Sequence, residues 1–344
     1  MKILIDLYDH RYEIWNYPEW CLGETRALAY DHHIVSVASR EQLLQHLPDA
    51  EIYFGWHLGE EDFAVAKQLK WFHSASSDVR RQMYPVFVES EVVLTMSRGT
   101  RAAAIAEHVL GMMLYFARQF HICVRNQMRA HWARATAWDH FPFFRELDES
   151  TLGIIGLGRI GRELARRGKA LGMTVIATTK RDTSQKPDYV DFLGTPEDLP
   201  ILLDASDFLV CCIPETGDTE YIMGYDEFRM MKKTAYFFNV GRGNAVNEDE
   251  LVEALMDQLI AGAGLDSFER EPLPDDSYLW RLEGTLITPR ISGIGPHFWP
   301  RTHEAFLNNL RHYLAKEPME DVVTKEVIAM EEIQVGEGQL GERG

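Results

Sequence analysis

A guanidinium group set between glycines at the end of an apolar strand can hold a carboxylate and polarise a carbonyl at once, because it is planar and permanently charged. The stretch Asn239-Val240-Gly241-Arg242-Gly243 closes the apolar run Tyr236 to Val240 and carries such a group in Arg242. Two more segments come after apolar runs in the same way: Leu265-Asp266-Ser267-Phe268-Glu269-Arg270-Glu271-Pro272 and Thr288-Pro289-Arg290-Ile291-Ser292-Gly293. Open α/β sheets bind ligands beyond the carboxyl ends of their strands, so these three ends are candidate site material. Arg242 is the first choice for a catalytic group.

A second chemistry is written at Thr151 to Arg181. The apolar run Leu152 to Ile155 ends at Gly156, Gly158 and Gly161, with Arg159 and Ile160 between the last two, and a helical stripe of Ile160, Leu164 and Leu171 comes next. Gly156 suits the tight turn, Gly158 lets a pyrophosphate approach the backbone, and Gly161 lets the helix pack closely on the strand. Phosphates would then face the helix start, where unpaired N–H groups and the helix dipole attract negative charge. An acid commonly stands about 20 positions further on, on the ribose hydroxyls. Here that place, 18 residues past Gly161, holds Thr179, and Lys180 and Arg181 come after it. A hydroxyl beside two cations suits a 2′-phosphate, so NADP(H) is the expected cofactor and NAD(H) the alternative.

These groups must be positioned by alternating strands and helices. Ile3 to Leu7, Ile34 to Val37, Ile52 to Phe54 and Val92 to Leu94 read as strands, with Arg40 to Leu47 and Glu61 to Leu69 as helices. They form a small α/β layer without a glycine fingerprint. Thr100 to Gln119 reads as a helix apolar on nearly all faces, which implies burial on more than one side, and His108 within it reads as a core histidine. From His121 to Ser150, Trp132, Trp138, Phe141, Phe143 and Phe144 mark an irregular arm that packs on something, such as a second subunit. Asp207 to Ile213, Tyr236 to Val240, Ala263 to Leu265 and Leu286 to Thr288 are further strands. Asn247 caps a helix with the buried stripe Leu251, Leu255 and Leu259, and Arg301 to Leu314 is the last helix. The alternation over 151 to 289 is that of a doubly wound α/β sheet.

The totals narrow the function classes. With 344 residues, 46% hydrophobic, the chain is long enough for two domains. Its 53 acids against 35 bases give a net charge of −18, which argues against nucleic acid or an anionic membrane as partner. Cys21, Cys123, Cys211 and Cys212 have neither metal-ligand nor disulfide-framework spacing and read as small buried hydrophobes in a reducing compartment. No metal site is expected. No run approaches a membrane span, so a cytoplasmic protein is expected.

Over about 70 to 315 the chain resembles the D-isomer-specific 2-hydroxyacid dehydrogenases, and among them the glyoxylate and hydroxypyruvate reductases. The resemblance rests on Gly156-Leu157-Gly158-Arg159-Ile160-Gly161, on Phe228 to Lys232 leading into Asn239-Val240-Gly241-Arg242-Gly243, on Gly264 to Pro274, and on Thr288-Pro289. It implies a doubly wound parallel Rossmann-type cofactor domain over 101–289 and a smaller flavodoxin-like α/β substrate domain built from 1–100 and 290–330, with a cleft between them. An acidic tail over 331–344 is expected to be disordered, and a homodimer is implied. Ile213, Pro214, Val240, Gly241 and Asp266 are then expected to line the cofactor, Arg242 to bind the substrate carboxylate and carbonyl, and Glu271 to tune a histidine acid/base. Ser77, Asp78, Arg98 and Gly99 fall in the expected substrate loops.

The chain departs from that pattern twice. Where the family has threonine-proline-histidine, it has Thr288-Pro289-Arg290, and arginine does not readily give up a proton at working pH. Where the family commonly has a glycine near position 78, it has Asp78, which repels an anionic substrate unless it turns away or pairs with Arg80 or Arg98. His297 is an alternative proton source. The expected activity is hydride transfer between NAD(P)H and a small 2-oxoacid or D-2-hydroxyacid. The rival expectation is a catalytically impaired dinucleotide-binding protein with a regulatory or structural role.

Overall fold

The computed structural model describes residues 1–139, 144–214 and 219–325. Phe141, Phe143 and the acidic tail fall outside them. The chain divides into two compact units, one of Met1–Thr100 with the stretch from Gly295, the other Arg101–Ile294.

The first unit contains β1 (Lys2–Asp6), α1 (Glu19–Leu28), β2 (His33–Ser36), α2 (Arg40–His46), β3 (Ile52–Gly55), α3 (Glu60–Phe63), β4 (Trp71–Ser74), α4 (Pro85–Glu89) and β5 (Val93–Met96). The five strands are all parallel, in the order β2-β1-β3-β4-β5. Apolar residues on both faces of β1, β3 and β4 are buried, as a covered parallel sheet requires. The expected helix over 61–69 is confined to α3. Beyond it, Val65, Ala66 and Leu69 donate to the carbonyls three residues back, a tighter winding that brings Leu69 into the core.

In the second unit come α5 (Ala102–Ala117), α6 (Phe120–Met128), α7 (Arg134–Asp139), β6 (Thr151–Ile155), α8 (Arg159–Ala170), β7 (Thr174–Thr178), β8 (Phe192–Gly194), α9 (Leu199–Ala205), β9 (Phe208–Cys211), α10 (Tyr225–Met230), β10 (Tyr236–Asn239), α11 (Glu248–Met256), β11 (Gly262–Leu265) and β12 (Thr285–Ile287). Its seven strands run parallel in the order β12-β11-β10-β9-β6-β7-β8. One core lies on each face of this sheet. Val109, Met112, Met113 and Phe116 of α5 pack with Leu164 and Ala165 of α8 over Phe208 and Phe238, and Leu251 and Ala254 of α11 pack with Phe228 over Phe237 and Leu209. The cap of α11 is as expected: the Asn247 side chain accepts from the Glu250 N–H and donates to its carboxylate.

The arm expected to be irregular contains α6 and α7, and Phe120, Val124 and Met128 of α6, Trp132 between the helices and Trp138 of α7 are exposed. Cys123 is exposed as well, unlike the buried Cys21 and Cys211. The chain then returns to the first unit through α12 (Phe298–Ala315), where Phe306, Leu307 and Leu310 close the core beneath β1, β3 and β4. Among the described residues no helix is long and apolar enough to cross a membrane.

Candidate active site

The sheet of the second unit reverses its winding direction between β6 and β9, and the glycine turn sits at the carboxyl end of β6. Gly156 has φ +95°, and a Cβ on it would come within 2.6 Å of the Ile213 side chain. A Cβ on Gly161 would stand 2.4 Å from the Gly156 carbonyl oxygen, so only glycine lets α8 approach the strand this closely. A Cβ on Gly158 would meet nothing within 4 Å, which leaves open space before the first turn of α8. Gly158 caps α8 without a side chain, so the first N–H groups of a twelve-residue helix lie behind that space. This cradle fits a pyrophosphate.

The Thr178 carbonyl accepts from the N–H groups of Gly156 and Leu157, which ties the end of β7 to the glycine turn. Thr179 therefore stands just past the end of β7, beside the glycine turn. Its hydroxyl accepts from the Arg181 N–H at 3.1 Å, and Lys180 and Arg181 are exposed beside it. Ile213, half-buried, and Pro214, exposed, come after β9. Val240 and Gly241, both buried, come after β10, and a Cβ on Gly241 would lie 2.7 Å from the Ile213 carbonyl oxygen. Glycines at 156 and 241 thus bring three successive strand ends into contact.

Arg242 is next in the chain, half-buried, with one guanidinium N–H donated to the Gly241 carbonyl at 2.9 Å. Its backbone is held by Asn239, whose side chain accepts from the Gly241 N–H and donates to the Arg242 carbonyl. Gly243 admits the end of β11: a Cβ there would overlap the Phe268 carbonyl, 1.8 Å from its oxygen. Beyond that contact, Glu248 and Glu269 clasp one another, each carboxylate accepting the other's backbone N–H, at 2.8 and 2.6 Å. Burial and then the neighbouring acids Glu269, Asp249 and Glu271 push the Glu248 carboxyl up to about 7.

Glu271 accepts from Arg290 at 2.5 Å and from the Phe268 N–H at 3.2 Å. Arg290 adopts φ +54°, a left-handed conformation. The loop that carries it is fixed by Asp266, which is 2% exposed. Its carboxylate accepts from the Thr288 hydroxyl at 2.6 Å, the Ile291 N–H at 2.9 Å, the Ser292 N–H and the Ser292 hydroxyl. Because the Thr288 hydroxyl donates to Asp266, His108 of α5, 3.0 Å away, donates to Thr288 in turn. His108 is therefore hydrogen-bonded and half-buried, and Asp266 binds the backbone and hydroxyls of the loop.

Arg101, just ahead of α5, is a residue that no motif in the sequence marks. Its Cδ lies 2.9 Å from where a Gly293 Cβ would stand, so its stem packs on the loop of Arg290. Burial, then the like charges of Arg290 and Arg242, lowers its pKa to about 10.

In the first unit, Asp78 is neutralised by Arg80 through contacts of 2.9 and 3.1 Å, and its N–H donates to Ser76. Ser77 is exposed, Gly99 takes φ +79°, and Arg98 lies 3.8 Å from Asp321. His297, exposed, precedes α12.

A doubly wound parallel sheet with a glycine cradle at its switch point, and an arginine locked two strands away, defines a dinucleotide-dependent oxidoreductase. Residues 110–292 match the family described as "D-isomer specific 2-hydroxyacid dehydrogenase, NAD binding domain". The chain belongs to the D-isomer specific 2-hydroxyacid dehydrogenase family. It is 32% identical over 240 residues to a glyoxylate reductase of Korarchaeum cryptofilum, covering 69% of this chain and 70% of that protein. A glyoxylate reductase of Thermofilum pendens is 29% identical over 86% of this chain and 88% of its own length. The crystal structure of a D-isomer specific 2-hydroxyacid dehydrogenase family protein from Aeromonas salmonicida superposes with a TM-score of 0.81 at 26% identity, covering 94% of this chain and 99% of that one.

Proposed function

We propose that this chain reduces small 2-oxoacids to D-2-hydroxyacids, with NADPH preferred over NADH. The observation that carries the reading is the clamp on Arg242: Asn239 on one side and the Phe268 backbone pressed on Gly243 on the other hold one guanidinium at the strand end beside Gly241. Arg242 binds the substrate carboxylate and polarises the adjacent carbonyl, a preorganised positive charge at the place where negative charge develops. Gly156, Gly158, Arg159, Ile160 and Gly161 would hold the cofactor's pyrophosphate, and Thr179, Lys180 and Arg181 its 2′-phosphate. The bound dinucleotide supplies the hydride.

Arg290 stabilises charge on the substrate oxygen and keeps its own protons, so the proton that completes the alcohol is drawn from solvent. Glu271 acts here as the anionic partner that orients Arg290. Turnover is therefore slower than in relatives with histidine at this place. We assign the exposed apolar surface of α6, α7 and the turn between them to a homodimer contact, since Met128 of α6 is 84% and Trp132 of the turn is 81% exposed.

Loss of nicotinamide absorbance with glyoxylate, hydroxypyruvate and pyruvate tests the reading. Turnover on at least one of them, lost on Arg242→Gln, is the expected result. Dinucleotide binding without turnover on any 2-oxoacid replaces it with a binding protein of the same fold.

A further inference from the structure

α5 carries two strongly polar side chains, Glu107 and His108, in an otherwise apolar sequence. Glu107 pairs with Arg167 of α8 at 3.1 Å. His108 is bound up instead with the loop of Arg290. Its Nε2 lies 3.0 Å from the Thr288 hydroxyl and 3.9 Å from the Asp266 carboxylate. The Thr288 proton goes to Asp266 at 2.6 Å, so the Thr288 oxygen accepts and the imidazole must carry a proton on Nε2. That donation strengthens the hydroxyl as a donor in its turn, because hydrogen bonds in series polarise one another. The Leu265 carbonyl, 3.5 Å from the same hydroxyl, is the competing acceptor. Asp266 also takes the Ile291 and Ser292 N–H groups, so one carboxylate ties the chain on both sides of Arg290. The φ of +54° at Arg290 is a conformation that persists only where the surroundings hold it.

Resting on the function proposed above, we infer that His108 is a positioning residue for Arg290: its Nε2–H fixes the Thr288 hydroxyl on Asp266, and Asp266 holds the backbone that aims the guanidinium at the charge developing on the substrate oxygen. His108 acts through these two residues. Its loss therefore reaches the rate of reduction and spares the binding done by Arg242 and the glycine turn.

The test compares kcat and KM of the full-length protein, for NADPH and for whichever of glyoxylate, hydroxypyruvate and pyruvate it reduces, across substitutions at position 108. His108→Leu keeps the bulk and removes the donor. It should lower kcat by roughly tenfold, as the loss of one hydrogen bond predicts, and leave both KM values within about threefold. His108→Gln sets an amide nitrogen near the place of Nε2 and should recover most of the loss, whereas the amide of His108→Asn reaches only as far as Nδ1 and should not. In a Thr288→Val background, which lacks the hydroxyl that receives the bond, His108→Leu should lower kcat by less than about twofold more. The glutamine and asparagine variants decide the matter should His108→Leu not fold. A kcat unchanged in His108→Leu, equal kcat for glutamine and asparagine, a loss that appears in KM and not in kcat, or a full loss in the Thr288→Val background overturns the inference and leaves the 2-oxoacid reading standing. Absence of turnover on every 2-oxoacid overturns both.

Discussion

The two parallel sheets are built on one plan and differ in the turn that leaves the first strand of each. In both, the second strand lies on one side of the first, and the strands from β3 in one sheet and from β9 in the other lie on the opposite side, so both have a switch point. After β6 the chain turns through Gly156 and Gly158 straight into α8. After β1 it runs through Leu7 to Asn16, a stretch without glycine in which the Asp9 carboxylate accepts from the N–H groups of Arg11 and Tyr12 and the Asn16 side chain accepts from the Asp9 N–H. The Asp6 carboxylate at the end of β1 is taken by the Tyr53 hydroxyl. The same fold thus yields an open phosphate cradle in one unit and a self-satisfied loop in the other. The turn, and not the sheet, decides where the dinucleotide goes.

The severest way to break that contrast is Gly161→Val, which places a side chain against the Gly156 carbonyl. Dinucleotide affinity, measured by fluorescence titration, should fall by roughly 100-fold or more, since α8 can no longer close on β6. Undiminished affinity would move the cofactor away from the glycine turn.

Next in size is Arg290→His. A histidine beside Glu271 titrates near neutrality and can deliver a proton, so kcat should rise by roughly tenfold or more and gain a pH dependence there. A fall in kcat instead would make Arg290 an active part of an altered mechanism.

A smaller effect sharpens the reading of the cradle's outer end. Arg181→Ala should weaken NADPH by about tenfold and NADH by less than about twofold, as one charge-assisted contact predicts. Equal losses for the two cofactors would remove Arg181 from phosphate recognition.

The mildest perturbation concerns the acid clasp that buttresses Arg242. The Glu248 carboxyl, raised to about 7 chiefly by burial, contributes stability while protonated, and that contribution is lost as pH rises from the ordinary carboxylate range through about 7. Glu248→Gln retains an oxygen that can accept from Glu269 and stays neutral. Its Tm should exceed the wild type's by about 2–4 °C at a pH of about 8 and match it below about 4.5, measured by calorimetry. A constant difference across pH would mean that charge at Glu248 is not the cause.

Most of the second unit was legible from the chain, because its longer strands are apolar runs, β6 and β10 leading into glycine, and its helices carry clean stripes. β4 was not, since its His73 and Ser74 are polar yet wholly buried. His73 bonds Thr95 and Ser97 through its two ring nitrogens, 2.7 and 3.0 Å away, and these partners lie more than twenty residues on. α1 was hidden for a related reason, as only Cys21, Leu22 and Thr25 of it are buried. β8, three residues long at the sheet edge, has no periodicity to read. Among the site residues, Arg242 and Glu271 stood out by motif, whereas Arg101 looked like any polar residue at a helix start. Only its packing on Gly293, nearly two hundred residues away in sequence, brings it to the loop of Arg290. The pairing of Asp78 with Arg80 was one of two alternatives open in the sequence, and side-chain geometry selected it.

The left-handed backbone at Arg290 limits which residues can replace it. A loop tied at Thr288, Ile291 and Ser292 by one buried carboxylate keeps φ near +54° whatever side chain occupies that position. Valine and isoleucine fit that conformation poorly, while asparagine, aspartate and histidine occur in it several times more often than other side chains. Random substitution at this position is thereby filtered toward short polar groups that accept or exchange protons. A histidine introduced at position 290 therefore meets a backbone already shaped to accept it.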